Sequence, residues 1–492
     1  MGTLYQAARK RIKNLLLQIL PEEKLTQDFL DQLYVLIEKH LEEVTCGLTK
    51  WDHSDTVLIT CGGSMLNGEE PPLQKLHTFL HQHLRDEIRC VHIAPSSPYT
   101  DEESFLASDD YRVNPALGSW QDIQAIHQDF DLMTDLVTNP ATNQSQRSQN
   151  FLKGEPPTKD YLLEMLRVLF YYIHQGARII RLNDAAGLWK EQGPSGIRQT
   201  QNHRLLKLIR ELAELIHPDT IILAETNLPE RENLSFFGEK FDEAHMISQL
   251  PLPPMILHTL HTGDATRLSQ WAATIPDTDE EATFFNFTAS QKGIDIRPLE
   301  GIIPEDELSR LLERMKEFGG DISTRTDSGG SESYREINIT WLDAMKGTFH
   351  GVDTLQTERF LCSQTIMMEM RGIPAFYIHT LTATESDYPA KGFLHELKRL
   401  IGIRRSEPAF HPNAAQHILD RGPEFFALRR TDESGRSLWA VSNVTARKQR
   451  TNLNDLNTPP GLHDVISGKT FQPGQTILLE PYQTLWLKQK EG

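Results

Sequence analysis

The chain has 492 residues, of which 38% are hydrophobic and 24% are charged, and its formal net charge is −18. A chain of this length can bury a large core, and it predicts one large domain with one or two smaller ones. The negative charge is spread along the chain, which argues against non-specific binding to nucleic acid or to an anionic membrane.

The amino-terminal segment 1–20 is basic and partly apolar, and its charges lie inside the periodic pattern. It predicts an amphipathic helix rather than a signal peptide, because no small-residue cleavage site follows it. No run approaches the ~18 apolar residues of a membrane span. Reduced, buried thiols are the plainest interpretation of four widely spaced cysteines, namely Cys46, Cys61, Cys90 and Cys362. We therefore expect a cytoplasmic protein that uses no metal and no cofactor.

After two amino-terminal helices, strand-like apolar runs alternate with helical ones. The predicted strands are 57–60, 90–94, 132–137, 179–182, 220–224, 244–250, 284–288 and 373–378. Eight strands separated by helices predict an α/β fold, a (β/α)8 TIM barrel. Beyond about residue 411 short alternating strands predict a small antiparallel β-domain. The expected domains are therefore 1–50 for the N-terminal helices, 51–410 for the barrel and 411–492 for the C-terminal β-domain.

The segment 177–191, with the sequence ARIIRLNDAAGLWKE, is the most informative stretch of the chain. Its first half is a β-branched apolar run, which is typical of a strand buried on both faces. The run ends in Arg181, Asn183 and Asp184. Polar groups at the carboxyl end of a buried parallel strand are where an α/β barrel places its chemistry.

This segment resembles the fourth barrel strand of the α-amylase superfamily, glycoside hydrolase family 13, in its sucrose-phosphorylase-like branch. Further matching motifs lie along residues 55–490, among them VHIAPSSPYTDEESF (91–105), ETNLPERENLSFFG (225–238) and FNFTASQKGIDIRPLEGI (285–302). The resemblance implies retaining α-glucosyl transfer in a barrel. Such chemistry uses two carboxyl groups about 5–5.5 Å apart, one as nucleophile and one as acid and base.

The resemblance also implies a role for particular positions. Glu225 matches the acid/base, and Asn183 stands at the position of the nucleophile. Lys292, preceded by Gln291, stands where a transition-state-stabilising carboxylate is expected. The remaining two matches are Arg181, at the position that orients the nucleophile, and Asp135, at an aspartate of the first motif that usually supports the site.

These positions also allow structural interpretations. Glu225 is equally well explained as a carboxylate paired with an arginine, and Arg181 is better explained as the structural partner of Glu225. For Asp135 the structural interpretation leads. Asp184 is the spare carboxylate next to Asn183, but alternation along a strand predicts that the two side chains point to opposite faces unless the strand has ended or bulged.

The departures from the family pattern collect at one end of the barrel. They are the amide at Asn183, the Gln291-Lys292 pair in place of His-Asp, Pro140 in place of a histidine, and Cys61-Gly62-Gly63 in place of Tyr-Gly-Asp. Two segments are also short: 153–160 replaces an inserted domain B, and 386–392 replaces a loop that closes over substrate. A site without these walls is open to water.

Three hypotheses follow from these departures. The leading one is a non-catalytic protein, a regulator or assembly partner in carbohydrate metabolism, acting through a protein partner or as a homo-oligomer. The second is an enzyme with altered chemistry that uses Glu225, helped by Asp184, on an α-glucoside. The third is a binding module in which Arg181, Glu225 and Lys292 hold a sugar phosphate, since a cation suits an anionic ligand.

Overall fold

The structure is a computed structural model of the chain. It describes residues 2–20, 22–41, 50–61, 63–64, 70–94, 111–136, 159–189, 195–226, 228–290, 293–326, 332–382, 391–456 and 461–490.

Eight parallel strands form a closed barrel, as the sequence predicts. In chain order the barrel strands are β1 (Val57–Thr60), β2 (Cys90–Ile93), β3 (Asp131–Leu136), β4 (Ala177–Leu182), β5 (Ile221–Ala224), β6 (Met246–Ser248), β7 (Thr283–Asn286) and, after five short strands, β13 (Ile373–Tyr377). Around the barrel the order is β1-β13-β7-β6-β5-β4-β3-β2. Five of them, β1, β2, β5, β6 and β7, are buried at every residue, as strands covered by helices on one face and filled on the other should be.

The five short strands between β7 and β13 form two small antiparallel sheets. They are β8 (Ile294–Asp295), β9 (Asp321–Thr326), β10 (Glu332–Asn338), β11 (Gly347–Thr348) and β12 (Gly351–Val352). The first three pair in the order β8-β10-β9, and the last two pair with each other. The sequence pattern did not predict these five strands.

Helices separate the barrel strands. In chain order they are α1 (Gly2–Ile19), α2 (Gln27–His40), α3 (Pro72–His83), α4 (Trp120–His127), α5 (Lys159–His174), α6 (Ser195–Ile216), α7 (Glu230–Leu234), α8 (Leu252–Thr262), α9 (Thr266–Ala272), α10 (Glu305–Glu317), α11 (Trp341–Ala344), α12 (Gln356–Glu369), α13 (Ile378–Thr382) and α14 (Lys391–Arg405). Short 3-10 turns lie at 22–24, 185–187, 235–237, 297–299, 408–410 and 453–456.

The second amino-terminal helix, α2, shows why these segments are helical. Its apolar residues recur every three or four positions, so that one face is buried: Phe29, Leu30, Leu33, Tyr34 and Ile37. The Thr26 hydroxyl accepts a hydrogen bond from the backbone N–H of Phe29 at 3.3 Å and caps the first turn.

A six-stranded antiparallel sheet forms the C-terminal β-region, as predicted. Its strands are β14 (Ala415–Ile418), β15 (Phe425–Thr431), β16 (Ser437–Asn443), β18 (Leu462–Asp464), β19 (Thr470–Phe471) and β21 (Thr484–Gln489), and β17 (Gln449–Asn452) pairs separately with β20 (Thr476–Leu479). Alternate residues of β15, β16 and β21 pack into one apolar core that contains Phe425, Trp439 and Leu487.

The chain divides into two compact units. One comprises residues 1–50, 60–248 and 279–282, and the other comprises 51–59, 249–278 and 283–492. The domain boundaries at residues 50 and 410 stay a prediction. No helix among the described residues is both long enough and apolar enough to cross a membrane.

Candidate active site

Four polar side chains form a row across neighbouring strands of the first unit. We call His92 on β2, Asp135 on β3, Arg181 on β4 and Glu225, which follows β5, the polar row. The strand register explains the row, because Asp135 pairs with Arg181, and Arg181 pairs with Leu223, two residues before Glu225. All four lie at or near the carboxyl ends of their strands, where a barrel places its chemistry.

Arg181 is the centre of this row. Its Nε and Nη2 donate hydrogen bonds to Oδ1 and Oδ2 of Asp135 at 2.7 and 2.8 Å, and its Nη1 donates to Oε2 of Glu225 at 3.2 Å. The guanidinium therefore makes a bidentate pair with Asp135 and one longer hydrogen bond to Glu225. The Arg181 and Asp135 side chains are 16% and 15% exposed, whereas Glu225 is 31% exposed, so Glu225 is the carboxylate of the row that solvent or a ligand reaches best.

The row fixes the charge states of Asp135 and Arg181. Burial alone raises the pKa of Asp135, but the Arg181 guanidinium and the His92 ring outweigh it and hold that pKa well below its usual range. Burial likewise lowers the pKa of Arg181, and the carboxylates of Asp135 and Glu225 more than reverse this and raise it. Both groups are therefore charged at neutral pH.

Sequence reasoning missed His92. The residue is 1% exposed, and its Nε2 lies 2.9 Å from Oδ1 of Asp135, so the ring donates to the carboxylate that Arg181 also holds. A single histidine inside the apolar run CVHI was the available signal. Its partner lies 43 residues away in sequence, and only the strand register brings the two together.

Asn183 and Asp184 form a turn rather than the end of the strand. Strand β4 ends at Leu182, and Asp184, with φ −148° and ψ 66°, precedes the 3-10 turn at 185–187. The alternation of side chains along a strand therefore does not set the directions of Asn183 and Asp184. The Asp184 carboxylate lies over the backbone of Gly187, where a Cβ atom would be 2.1 Å from Oδ2. Oδ1 of Asn183 is buried without a hydrogen-bond partner among the described residues.

This turn is joined to the end of β5 by backbone hydrogen bonds on both sides of Asn183 and Asp184. The Glu225 N–H donates to the Leu182 carbonyl, and the Ala185 N–H donates to the Glu225 carbonyl, both at 3.0 Å. From the other side, the buried amide of Asn202 on α6 accepts from the Trp189 N–H at 2.6 Å and donates to the Ala186 carbonyl. The backbone of Glu225 is thus held in place by its neighbours.

Several predicted positions lie outside the described residues. They are Gln291, Lys292, Pro140, Gly62 and most of the two shortened segments, namely 153–158 of 153–160 and 386–390 of 386–392. Of the predicted site residues, the structure brings together Arg181, Asp135 and Glu225, with Asn183 and Asp184 in the adjoining turn. Their roles in catalysis or binding stay predictions.

Two groups of described side chains have the geometry of metal ligands, and neither includes a member of the polar row. One consists of His77, His81 and Asp129, and the other of Glu214, His245 and Glu281. The polar row itself offers one partly exposed carboxyl group, Glu225, that a guanidinium orients, and a positioned carboxyl group is a candidate for proton transfer to a bound sugar.

Full-length relatives are enzymes. The chain is 32% identical to the glucosylglycerate phosphorylase of Allomeiothermus silvanus, over 91% of this chain and 94% of that one, and 31% identical to the glucosylglycerate phosphorylase of Spirochaeta thermophila, over 91% and 92%. The first alignment runs over 537 positions and includes 91% of the 492 residues of this chain, about 448, so roughly 89 positions (537 minus 448) have no counterpart here. This is consistent with the shortened segments. No family model matches the sequence.

Solved structures show the same fold. The sucrose 6F-phosphate phosphorylase of Thermoanaerobacter thermosaccharolyticum superposes with a TM-score of 0.66 at 17% identity, covering 89% of this chain and all of that one.

The expectation of a non-catalytic regulator or assembly partner is wrong. The finding that overturns it is the similarity, over nearly the whole chain, to proteins that are phosphorylases. A missing protein nucleophile does not by itself abolish glycosyl transfer. A phosphorylase has a second nucleophile, because its co-substrate phosphate can itself attack carbon.

Proposed function

Since this chain belongs to the sucrose-phosphorylase-like branch of glycoside hydrolase family 13, we propose that it is a glycoside phosphorylase that cleaves glucosylglycerate, or a closely related α-glucoside, with inorganic phosphate. The observation that carries the proposal is the similarity to glucosylglycerate phosphorylases over 91% of the chain. The products are glucose 1-phosphate and the released acceptor, glycerate.

Glu225 is the general acid in this proposal. It follows β5 at the carboxyl end of the barrel strands, its side chain is 31% exposed, and its backbone is fixed on both sides. Protonation of the leaving oxygen by a positioned carboxylic acid typically accelerates such a reaction by ~10²–10⁴-fold. Arg181, 3.2 Å away, orients the carboxyl group and stays charged throughout.

Phosphate is the nucleophile. The residue at the nucleophile position, Asn183, is a neutral amide and cannot form a glycosyl ester, whereas the Asp184 carboxylate lies against its own 3-10 turn. A neutral amide also does not repel an approaching phosphate dianion, and its N–H groups are donors for phosphate oxygen. These observations support a single displacement in which phosphate attacks the anomeric carbon directly.

The atoms balance without any further co-reactant. A phosphate oxygen forms a bond to the anomeric carbon as the bond from that carbon to the glycerate oxygen breaks. Glu225 gives its proton to the departing oxygen, and the proton carried by hydrogen phosphate then restores the acid. One displacement inverts the configuration, so an α-glucoside gives β-glucose 1-phosphate, whereas a covalent glycosyl-enzyme gives the α-anomer.

The anomer of the product tests the proposal. Purified protein is incubated with glucosylglycerate and phosphate, and the anomeric proton of glucose 1-phosphate is observed by NMR, with Glu225→Gln beside the wild type. Glu232→Gln, an exposed glutamate on α7, is the matched control. β-Glucose 1-phosphate that is lost only in Glu225→Gln supports both the activity and the single displacement.

The other outcomes separate the parts of the proposal. Formation of α-glucose 1-phosphate would support the phosphorylase activity and overturn direct attack by phosphate. Asp184→Asn should then abolish formation of this product. No glucose 1-phosphate from glucosylglycerate or from other α-glucosides would overturn the activity itself.

A further inference from the structure

A second set of side chains of the first unit has the composition of a transition-metal site. His77 and His81 lie four residues apart on α3, and residues at that spacing share one face of a helix. Asp129 lies 48 residues beyond His81, in the turn between α4 and β3. One ligand atom from each of the three residues lies within 4.8 Å of the other two.

Both histidines point at the same carboxylate oxygen. Nε2 of His77 is 3.1 Å and Nδ1 of His81 is 2.9 Å from Oδ2 of Asp129. In a tetrahedral zinc site with bonds of about 2.0–2.1 Å, neighbouring ligand atoms are about 3.3 Å apart. A cation among the three atoms would therefore place Oδ2 only a few tenths of an ångström further from each nitrogen, and the two nitrogens already lie within 4.8 Å of each other.

The other oxygen of Asp129 is already occupied. Arg85 Nη2 lies 3.2 Å from Oδ1, which leaves Oδ2 to a ligand and orients the carboxylate toward the histidines. Hydrogen-bonding partners of this kind orient the side chains that bind metals in proteins.

We propose that His77, His81 and Asp129 form a binding site for a divalent transition metal, of the Zn²⁺ class, that links α3 to the segment before β3. The site has three protein ligands, and a water completes the tetrahedron, because the His81 side chain is 49% exposed. Two neutral imidazoles and one carboxylate select Zn²⁺, Ni²⁺ or Cu²⁺ over Mg²⁺ and Ca²⁺.

The site is distinct from the candidate active site. Asp129 precedes β3 and Asp135 lies near its end, and the four strand steps from Asp131 to Asp135 alone span about 13 Å. The metal therefore stabilises the fold and takes no part in glycosyl transfer.

The other group with metal-ligand geometry is a weaker choice. Glu214, His245 and Glu281 already have cationic partners, since Lys50 lies 3.3 Å from Glu214 and Arg210 contacts both glutamates. A divalent cation there would be repelled by two fixed positive charges. Asp129 has one such neighbour, Arg85, and it lies on the oxygen that the metal does not need.

Titration with the metal alone tests the proposal. Full-length protein without a histidine tag is treated with chelator and titrated with ZnCl₂ by calorimetry, and with CoCl₂ while the visible absorption of tetrahedral Co²⁺ is followed. We expect one equivalent to bind and the melting temperature to rise with Zn²⁺ concentration. His77→Ala and His81→Ala should each weaken the affinity at least tenfold, whereas His83→Ala, on the same helix but outside the site, should not.

The contradicting results are equally clear. Absence of Zn²⁺ binding to the wild type, or equal affinity in the wild type and both variants, would overturn the site. Both histidines are partly exposed, at 29% and 49% for His77 and His81, so the variants should fold, and Asp129→Asn, which keeps the shape of the side chain, is an independent third test.

Discussion

Arg181 holds Asp135 more closely than it holds Glu225: two hydrogen bonds of 2.7 and 2.8 Å connect it to the aspartate and one of 3.2 Å to the glutamate. Asp135 is therefore the main ion-pair partner of the guanidinium. Glu225 receives orientation from the same group without a bidentate ion pair, which leaves one of its oxygens for a substrate.

Removing the Asp135 carboxylate should destabilise the fold. Asp135→Asn leaves the guanidinium of Arg181 with a single carboxylate in a site that is 16% exposed, and breaking a buried pair from one side typically costs ~3–5 kcal/mol. Because some solvent reaches the pair, we expect the lower end, about 3 kcal/mol, in denaturant unfolding. The surface pair of Arg11 and Glu211 is the control, and Arg11→Met should cost under ~1 kcal/mol.

The double variant separates ion pairing from packing. Arg181→Met combined with Asp135→Leu should recover much of the loss seen in either single variant, because neither charge is left buried alone. Additive losses in this cycle would mean that the two side chains do not act as a pair.

Glu225→Gln should lower the rate of phosphorolysis by ~10²–10⁴-fold with little effect on stability. The amide keeps the shape of the side chain but cannot donate a proton to the leaving oxygen. Glucosyl fluoride, whose leaving group needs no protonation, should be cleaved by the variant at close to the rate of the wild type. An equal loss on both substrates would assign Glu225 to binding rather than to proton transfer.

Asn183→Asp should raise the KM for phosphate, by about tenfold or more, because a carboxylate placed where the dianion approaches adds a like charge. Steady-state kinetics at varied phosphate measure this directly. If the variant is instead faster than the wild type and makes α-glucose 1-phosphate, position 183 is an attacking position that the amide has blocked.

The buried His245 should make the stability depend on pH below neutrality. Its Nδ1 accepts from the Ile222 N–H at 3.0 Å, so the ring proton is on Nε2, which lies 2.8 Å from Oε1 of Glu214. Burial, together with nearby Arg210 and Lys50, lowers the pKa of His245 to about 3 despite the Glu214 carboxylate. The unfolded chain binds a proton near pH 6.5 and the folded chain does not, so stability falls as the pH drops from about 6.5 towards 3.

His245→Gln should remove this contribution, which amounts to about 1.4 kcal/mol per pH unit below pH 6. Urea unfolding at pH 5, 6 and 7 measures the slope. The exposed His83→Gln should keep the slope of the wild type. Parallel pH profiles for the wild type and His245→Gln would contradict the assignment of the neutral ring.

The buried Glu369 in the second unit should make the protein less stable as the pH rises, which is the opposite of the effect of His245. It is fully buried at the end of α12, and the Trp486 Nε1–H donates to its Oε2 at 3.1 Å. Burial raises its pKa to about 8, against which the Trp486 hydrogen bond and the Arg430 charge work only partly. A folded-state pKa above the unfolded one gives stability that is complete below about pH 4.5 and is lost as the pH rises through 8.

Glu369→Gln keeps an acceptor for Trp486 and carries no charge, so it should be more stable than the wild type at pH 9 and should show a flatter profile from pH 6 to 9. Thermal unfolding of both proteins at pH 6 and at pH 9 measures this difference. Glu358→Gln, an exposed position on the same helix, should follow the wild type.

The sequence predicted the barrel because buried strands have a signature that needs no partner. The β-branched run before Arg181 and the apolar run before Glu225 each identify a strand by themselves. Strand ends are less certain: 244–250 was predicted and only Met246–Ser248 is a strand. The turn at Asn183 and Asp184 could not be predicted either, since it depends on backbone bonds to the neighbouring strand rather than on local propensity.

The site was only partly predictable for the same reason. Glu225, Arg181 and Asp135 were found through a resemblance of motifs, whereas His92 carries no motif and gains its meaning from the strand register. The metal site is a similar case. The spacing of His77 and His81 is visible in the sequence, but Asp129 joins them only because α3 packs beside the turn before β3.

The two backbone hydrogen bonds around Glu225 have a consequence for motion. The amide of Glu225 and the amide of Ala185 are both donors to carbonyls across the gap between β4 and β5, at 3.0 Å. They should exchange with deuterium as slowly as the buried strands, since opening either one requires separating β4 from β5. Because no side chain takes part, this protection should survive substitution of both Asn183 and Glu225. The backbone position of residue 225 is then independent of the side chain that it carries.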